Sequence, residues 1–229
     1  MGVVRKKEVI MMRKNEILQR FKSFVVEEYT KLCIEFGIDD NEVITFGVFT
    51  PSEIVKFLTE HYLKEGDTLE THIKRICSVL DSVRDGCSTF TIPVEKYTKF
   101  YTGISEQALM AHIVACNDNY DMLEEKLKFD LRHEIGHVLF MRRLFSENNF
   151  GKANSMFNSM TESLNYIWNE YKTVNNIDAH KYDEKFLTEM YTTYHTMPVE
   201  REANREAKIN LREYVDTLVK FDMINAVEE

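Results

Sequence analysis

Two histidines four residues apart flank a glutamate in His133-Glu134-Ile135-Gly136-His137. On a helix such positions share one face, about 6 Å apart along the axis, so two imidazoles can address a single ion. Neutral imidazole nitrogen suits zinc at about 2.0–2.1 Å. Glu134 is offset around the helix, where it neighbours the ion without having to bind it. From there it can take a proton from an ion-activated water and pass it to a leaving amine. This residue pattern is the HExxH signature of metal-dependent peptide-bond hydrolysis. The competing reading is a surface helix that carries two unrelated histidines.

Two histidines do not complete a site, because a catalytic zinc normally takes three protein ligands and a water. No histidine follows at HExxHxxGxxH spacing, since residues 140–143 read Phe-Met-Arg-Arg. The third ligand is expected from the stretch that begins Met197-Pro198-Val199-Glu200-Arg201-Glu202-Ala203-Asn204. Pro198 fits the first turn of a helix. On that helix Glu200, Ala203, Asn204, Ala207, Leu211 and Tyr214 share one face, and Glu202, Glu206 and Glu213 lie on another. Glu200 is the expected ligand and Glu202 the competitor. The small Ala203 and Ala207 would let this helix pack closely on the motif helix. Asn204, one turn after Glu200, is placed to hydrogen-bond a ligating histidine. An ordinary amphipathic helix with solvated glutamates is the alternative for this stretch.

Tetrahedral intermediates also need an electrophilic donor. Tyr194 and His195, just before the Glu200 helix, are the candidates, and each also has a plain structural reading. Asp130, three residues before His133, either orients that ring or serves as a cap or a surface charge. His61, His72, His112 and His180 are expected to have no part at the metal.

The elements that must hold these groups follow from periodicity. Leu127, Leu131, Ile135, Val138 and Leu139 anchor the motif helix, expected over 121–145, after a turn at Asn117-Asp118-Asn119. Gly136 inside it costs about 1 kcal/mol relative to Ala, which a close approach by another segment would explain. Upstream, helices are expected over 12–36, 53–64 (capped by Ser52) and 69–83, with strands over 43–49 and 89–94. Residues 107–116 are ambiguous and are read here as a strand. Residues 147–180 are read as an insertion containing a helical piece over 156–171. Helices are then expected over 184–194 and, without interruption, 198–223. The fold class is α+β, mainly helical. No linker is apparent, so residues 1–229 are read as a single domain, with a mainly helical part over 1–85 and the strands, motif helix, insertion and third-ligand helix over 86–229.

Composition narrows the setting. A net charge of −9 and three prolines among 229 residues argue for helix and against a general nucleic-acid or anionic-membrane surface. A basic cluster at Arg5–Lys7, Arg13 and Lys14 is read as a solvated face. No apolar run approaches a membrane span, and no signal-peptide core follows the basic start. Cys33, Cys77, Cys87 and Cys116 are scattered and read as reduced thiols in a cytoplasmic protein.

On HEIGH, and on Glu200-Arg201-Glu202-Ala203-Asn204 as an ExxA followed by Asn, the chain resembles the gluzincin zinc peptidases. With P-x-E-x-E-A-N-x-x-A it is also similar to the compact ImmA/IrrE-type peptidases and related phage or prophage proteins. The resemblance covers residues 121–145 and 194–211. It implies zinc on His133, His137 and Glu200, Glu134 as general base, and a protein or peptide substrate. It also implies a zincin-like fold, with a small twisted sheet beside the motif helix and a helical C-terminal part. An extended peptide would then bind at the sheet edge. Two features depart from the pattern: Asn204 stands where an acidic residue is frequent, and the two ligand segments are far apart. The alternative is a non-catalytic zinc-binding regulatory or protein-interaction module that retains a peptidase-like site.

Overall fold

The computed structural model of the chain describes residues 2–39, 41–61, 68, 70, 90–94, 99–147, 151, 155 and 183–226. These residues are mainly helical, with one small sheet. They fall into two compact units, Met1–Val114 and Ala115–Glu229, whereas the sequence reading places an internal division near residue 85 of one domain. Among the described residues, no helix is long and apolar enough to cross a membrane. The expected helices over 69–83 and 156–171, and most of the insertion over 147–180, lie outside the described residues.

In the first unit, helix α1 (Gly2–Phe36) buries Leu18, Phe21, Val25, Tyr29, Leu32 and Cys33. Their three- and four-residue spacing forms one apolar stripe. Strand β1 (Val43–Phe49) pairs parallel with β3 (Lys99–Ser105). Strand β2 (Phe90–Val94) pairs antiparallel with β3 on its other side, giving the order β1-β3-β2. Gly47 sits at φ +61° where the β1–β3 register shifts. A Cβ there would lie 2.7 Å from Val26 Cγ2, so glycine lets α1 press on the strand at this irregularity.

Three local expectations are corrected in this unit. Helix α2 (Pro51–His61) starts at Pro51, and its cap is Thr50 rather than Ser52. Glu53 Oε2 accepts from the Thr50 backbone N–H at 2.6 Å, and Thr50 Oγ1 faces the Glu53 N–H at 3.4 Å, a capping box. Residues 107–116, read as a strand, form helix α3 (Glu106–Ala115). Ser105 Oγ accepts from the Ala108 N–H at 2.9 Å, and Leu109 and Ile113 are buried one turn apart. The third correction is β3 itself, which the sequence reading lacks. All of its residues except Lys99 are buried, so no polar–apolar alternation announces it.

In the second unit, Asn119 caps helix α4 (Tyr120–Ser146) by accepting from the Met122 N–H. Asn117 and Asp118 precede it with φ of 46° and 63°, a conformation that Asn and Asp tolerate better than most residues. Leu123, Leu127, Leu131, Ile135 and Val138 are fully buried along α4. Helix α5 (Glu184–His195) is capped by Asp183. Its Phe186 and Leu187 pack with Val215 and Val219.

The single helix expected over 198–223 is two: α6 (Pro198–Glu206) and α7 (Leu211–Ala226). They are separated at Lys208, which adopts φ +55°. The Ile209 N–H closes the turn on Asn204 O at 2.9 Å. No glycine or proline marks the break, because a lysine occupies the left-handed position.

The Tyr29 and Thr102 hydroxyls pair at 2.8 Å between α1 and β3, both fully buried. Tyr29→Phe is expected to destabilise the chain by about 1–3 kcal/mol, because the Thr102 hydroxyl loses this partner. The double variant Tyr29→Phe/Thr102→Val is expected to recover much of that loss. Urea denaturation of the wild type and the two variants measures both effects. A double variant no more stable than the single would show that the pair is not the source.

Candidate metal centre

The site lies within the second unit and is assembled from α4 and α6. The decisive packing feature is Gly136. A Cβ at that position would sit 2.1 Å from Ala203 O, 2.7 Å from Ala203 C and 3.0 Å from Ala207 Cβ. Backbone of α6 therefore occupies the space that any other residue at 136 would fill. Two polar ties flank the contact. Arg132 Nε donates to Ala207 O at 2.8 Å, and Arg143 Nη2 pairs with Glu202 Oε2 at 2.8 Å.

This approach brings three ligand-type side chains together. His133 Nε2 lies 2.7 Å from Glu200 Oε2 and 3.1 Å from His137 Nε2, and His137 Nε2 lies 3.4 Å from the same Glu200 oxygen. His133 and Glu200 are buried, and His137 is half-buried. Among the described residues, no fourth His, Cys, Asp or Glu joins this group. Glu202 is not part of it: its carboxylate also pairs with Arg205 Nη2, at 2.6 Å, and these two guanidinium partners account for its position on the charged face.

The orientation of His133 is fixed from behind. Asn204 Nδ2 donates to His195 O at 3.2 Å, so Asn204 Oδ1 faces the ring and accepts from His133 Nδ1 at 2.8 Å. The proton on Nδ1 leaves Nε2 as the nitrogen directed at the cluster, the arrangement a metal-binding histidine needs.

Electrostatics follow from the burial. Burial pushes the Glu200 carboxyl up, but the charge of His137 and the hydrogen bonds of His133 and His137 outweigh it and hold the carboxyl well below its usual range. Burial pulls the His133 imidazole down, yet the hydrogen bond and charge of Glu200, helped by Glu134 and Asn204, raise it to about 9. The pair is thus an imidazolium against a carboxylate, and a cation would replace the proton on Nε2.

The donor set fits zinc. Tetrahedral zinc with bonds of about 2.0–2.1 Å separates its ligands by about 3.3–3.4 Å. The observed triangle reaches that length on the His137–Glu200 edge at 3.4 Å, and falls short of it by about 0.2–0.3 Å on the His133–His137 edge and about 0.6–0.7 Å on the His133–Glu200 edge.

Of the remaining candidates, Glu134 is buried beside the cluster. His195 is 3% exposed. Its ring stands edge-on to His133 at 5.1 Å, and burial followed by the charge of His133 pushes its pKa down to about 3. Among the described residues, His195 Nδ1 has no hydrogen-bond partner. Tyr194 is half-buried, with its ring 4.9 Å from that of His195. Asp130 accepts from Lys126 Nζ at 2.6 Å and from the Tyr214 hydroxyl at 3.0 Å. His72 and His180 lie outside the described residues.

Sequence reasoning placed Tyr214 on the Glu200 face but gave it no part at the site. Its ring lies 5.8 Å from His133 and 4.5 Å from His195. A buried tyrosine on the same face as a presumed ligand was the available signal.

Comparison with known proteins finds no match among family models, curated proteins or solved structures.

On helix propensity alone, Gly136→Ala would stabilise α4 by about 1 kcal/mol. The contact with Ala203 backbone reverses the sign. The variant is expected to unfold at lower temperature and to lose zinc affinity as α6, and Glu200 with it, is pushed away. Thermal unfolding and zinc competition measure the two effects, and a more stable variant with full zinc affinity would contradict the close contact.

Proposed function

We propose that the chain is a zinc-dependent metallopeptidase of the gluzincin type that hydrolyses peptide bonds in a protein or peptide substrate. The observation that carries this reading is the convergence of His133, His137 and Glu200 on one point, with Glu134 buried on the same helix. Three protein ligands, the number found among the described residues, is the count of a catalytic zinc site, whereas structural sites take four. When bound there, zinc would polarise a substrate carbonyl and make water nucleophilic near neutral pH.

The chain's own residues supply the rest. Glu134 is the general base that accepts the proton of the attacking water and delivers it to the leaving amine. Asn204 holds the His133 tautomer. His195, with a ring nitrogen that has no partner among the described residues, and Tyr194 beside it are the donors assigned to the developing oxyanion. A zincin-like arrangement and kinship with ImmA/IrrE-type peptidases belong to this proposal and rest on the motif residues.

The burial of Glu134 at 6% exposure favours a second reading, a zinc-binding regulatory module without turnover. One experiment separates the two. Glu134→Gln is expected to keep stoichiometric zinc but to lose cleavage of a peptide library by about 10²- to 10⁴-fold. Glu200→Gln is expected to lose zinc, and Glu202→Gln to keep it. Elemental analysis and mass spectrometry of the digests provide the readings. Wild-type protein with full zinc and no cleaved peptide would leave the regulatory module standing, and cleavage unaffected by Glu134→Gln would remove the proposed mechanism.

A further inference from the structure

Helix α7 contributes no ligand, yet it places one side chain against two rings of the site. Tyr214 is 3% exposed. Its ring packs at 4.5 Å from His195 and 5.8 Å from His133, tilted by 47° to each. It is held in that pose from two directions. Its hydroxyl donates to Asp130 Oδ1 at 3.0 Å, and its ring stacks on Phe129 at 5.3 Å and 14°. Asp130 is itself fixed, because its other oxygen accepts from Lys126 Nζ at 2.6 Å.

Lys126, Asp130, His133 and His137 follow one another at four-, three- and four-residue steps, which keeps them on one face of α4. Lys126 and Asp130 are both buried. A buried ion pair contributes little net stability, so its value here is in locating the phenol.

The hydrogen bond that His133 Nδ1 donates to Asn204 Oδ1 restrains one edge of the imidazole but leaves rotation about that bond. A ring packed against the imidazole restrains the remaining freedom. We infer that Tyr214, anchored by Asp130 and Lys126, is a positioning residue of the metal centre that sets the His133 ring plane and couples it to His195. The inference rests on the metal-site reading above.

The test uses the full chain loaded with zinc or, for spectroscopy, with cobalt(II). Tyr214→Leu removes the ring and is expected to weaken zinc binding by about 10- to 100-fold, the usual effect of losing a residue that orients a ligand. The visible absorption of the cobalt form should shift with it. Tyr214→Phe keeps the ring but frees it from Asp130, so a smaller, still measurable loss of affinity is expected. Val219→Ala, on the same helix in the packing against α5, is expected to lower stability without moving either reading.

Wild-type affinity and an unaltered cobalt spectrum in Tyr214→Leu would overturn the inference. If that variant does not fold, the same result in Tyr214→Phe overturns it. An equal loss of zinc in Val219→Ala also overturns it, by reducing Tyr214 to general packing. Wild-type protein that binds neither ion shows instead that the metal-site reading has failed, and the inference falls with it before any variant is compared.

Discussion

The close passage of α6 over Gly136 is the constraint on which the second unit depends. HExxH on its own places two imidazoles on α4 and leaves the third ligand to chance. The absence of a side chain at 136 lets the Ala203 backbone reach α4, and Glu200 then lies one turn before that contact, opposite His133. The flanking pairs, Arg132 to Ala207 O and Arg143 to Glu202, fix the helix lengthwise, so the contact cannot slide by a turn. The small residues and the long charged ones thus act on different coordinates: the first set the separation of the helices, the second their register.

Burial makes this geometry electrostatically demanding. Glu200 and His133 are almost entirely removed from water, where an isolated charge would be very costly. Each offsets the other in the cation-free chain. A divalent cation changes the count: it takes the place of one proton and adds a net positive charge next to Glu200 and Glu134. Two acidic residues close to the cluster therefore suit a doubly charged ion better than a singly charged one. Lys126 and Asp130 form a second compensated pair earlier on α4.

Much of the candidate site was legible because its signals are local. Imidazoles four apart, a glycine that needs a reason inside a helix, and the Glu200–Ala203–Asn204–Ala207 face all repeat at helical spacing and can be read without knowing the fold. The features that were missed lack such signals. Strand β3 is buried on both faces, so its pattern carries no period of two. The segment after it has an apolar run that fits either period, and the helix it forms shows in the Ser105 cap and in Leu109 and Ile113 buried one turn apart. The break between α6 and α7 turns on Lys208 in a left-handed conformation, with no glycine to mark it. The assignment of Tyr214 to Asp130 joins positions 84 residues apart, and no local pattern encodes such a distance.

The spacing of the ligand segments also has a consequence for how the chain is made. His137 and Glu200 are separated by 62 residues, which at about 5–20 residues per second is an interval of roughly 3 to 12 s during synthesis. Throughout that interval α4 has emerged with its apolar stripe and two imidazoles, while the helix that completes the site is still being translated. A nascent chain in this state presents two of the three side chains of the cluster. The third side chain of the cluster arrives only with α6, so His133 and His137 wait for Glu200 across the whole 62-residue stretch between His137 and Glu200.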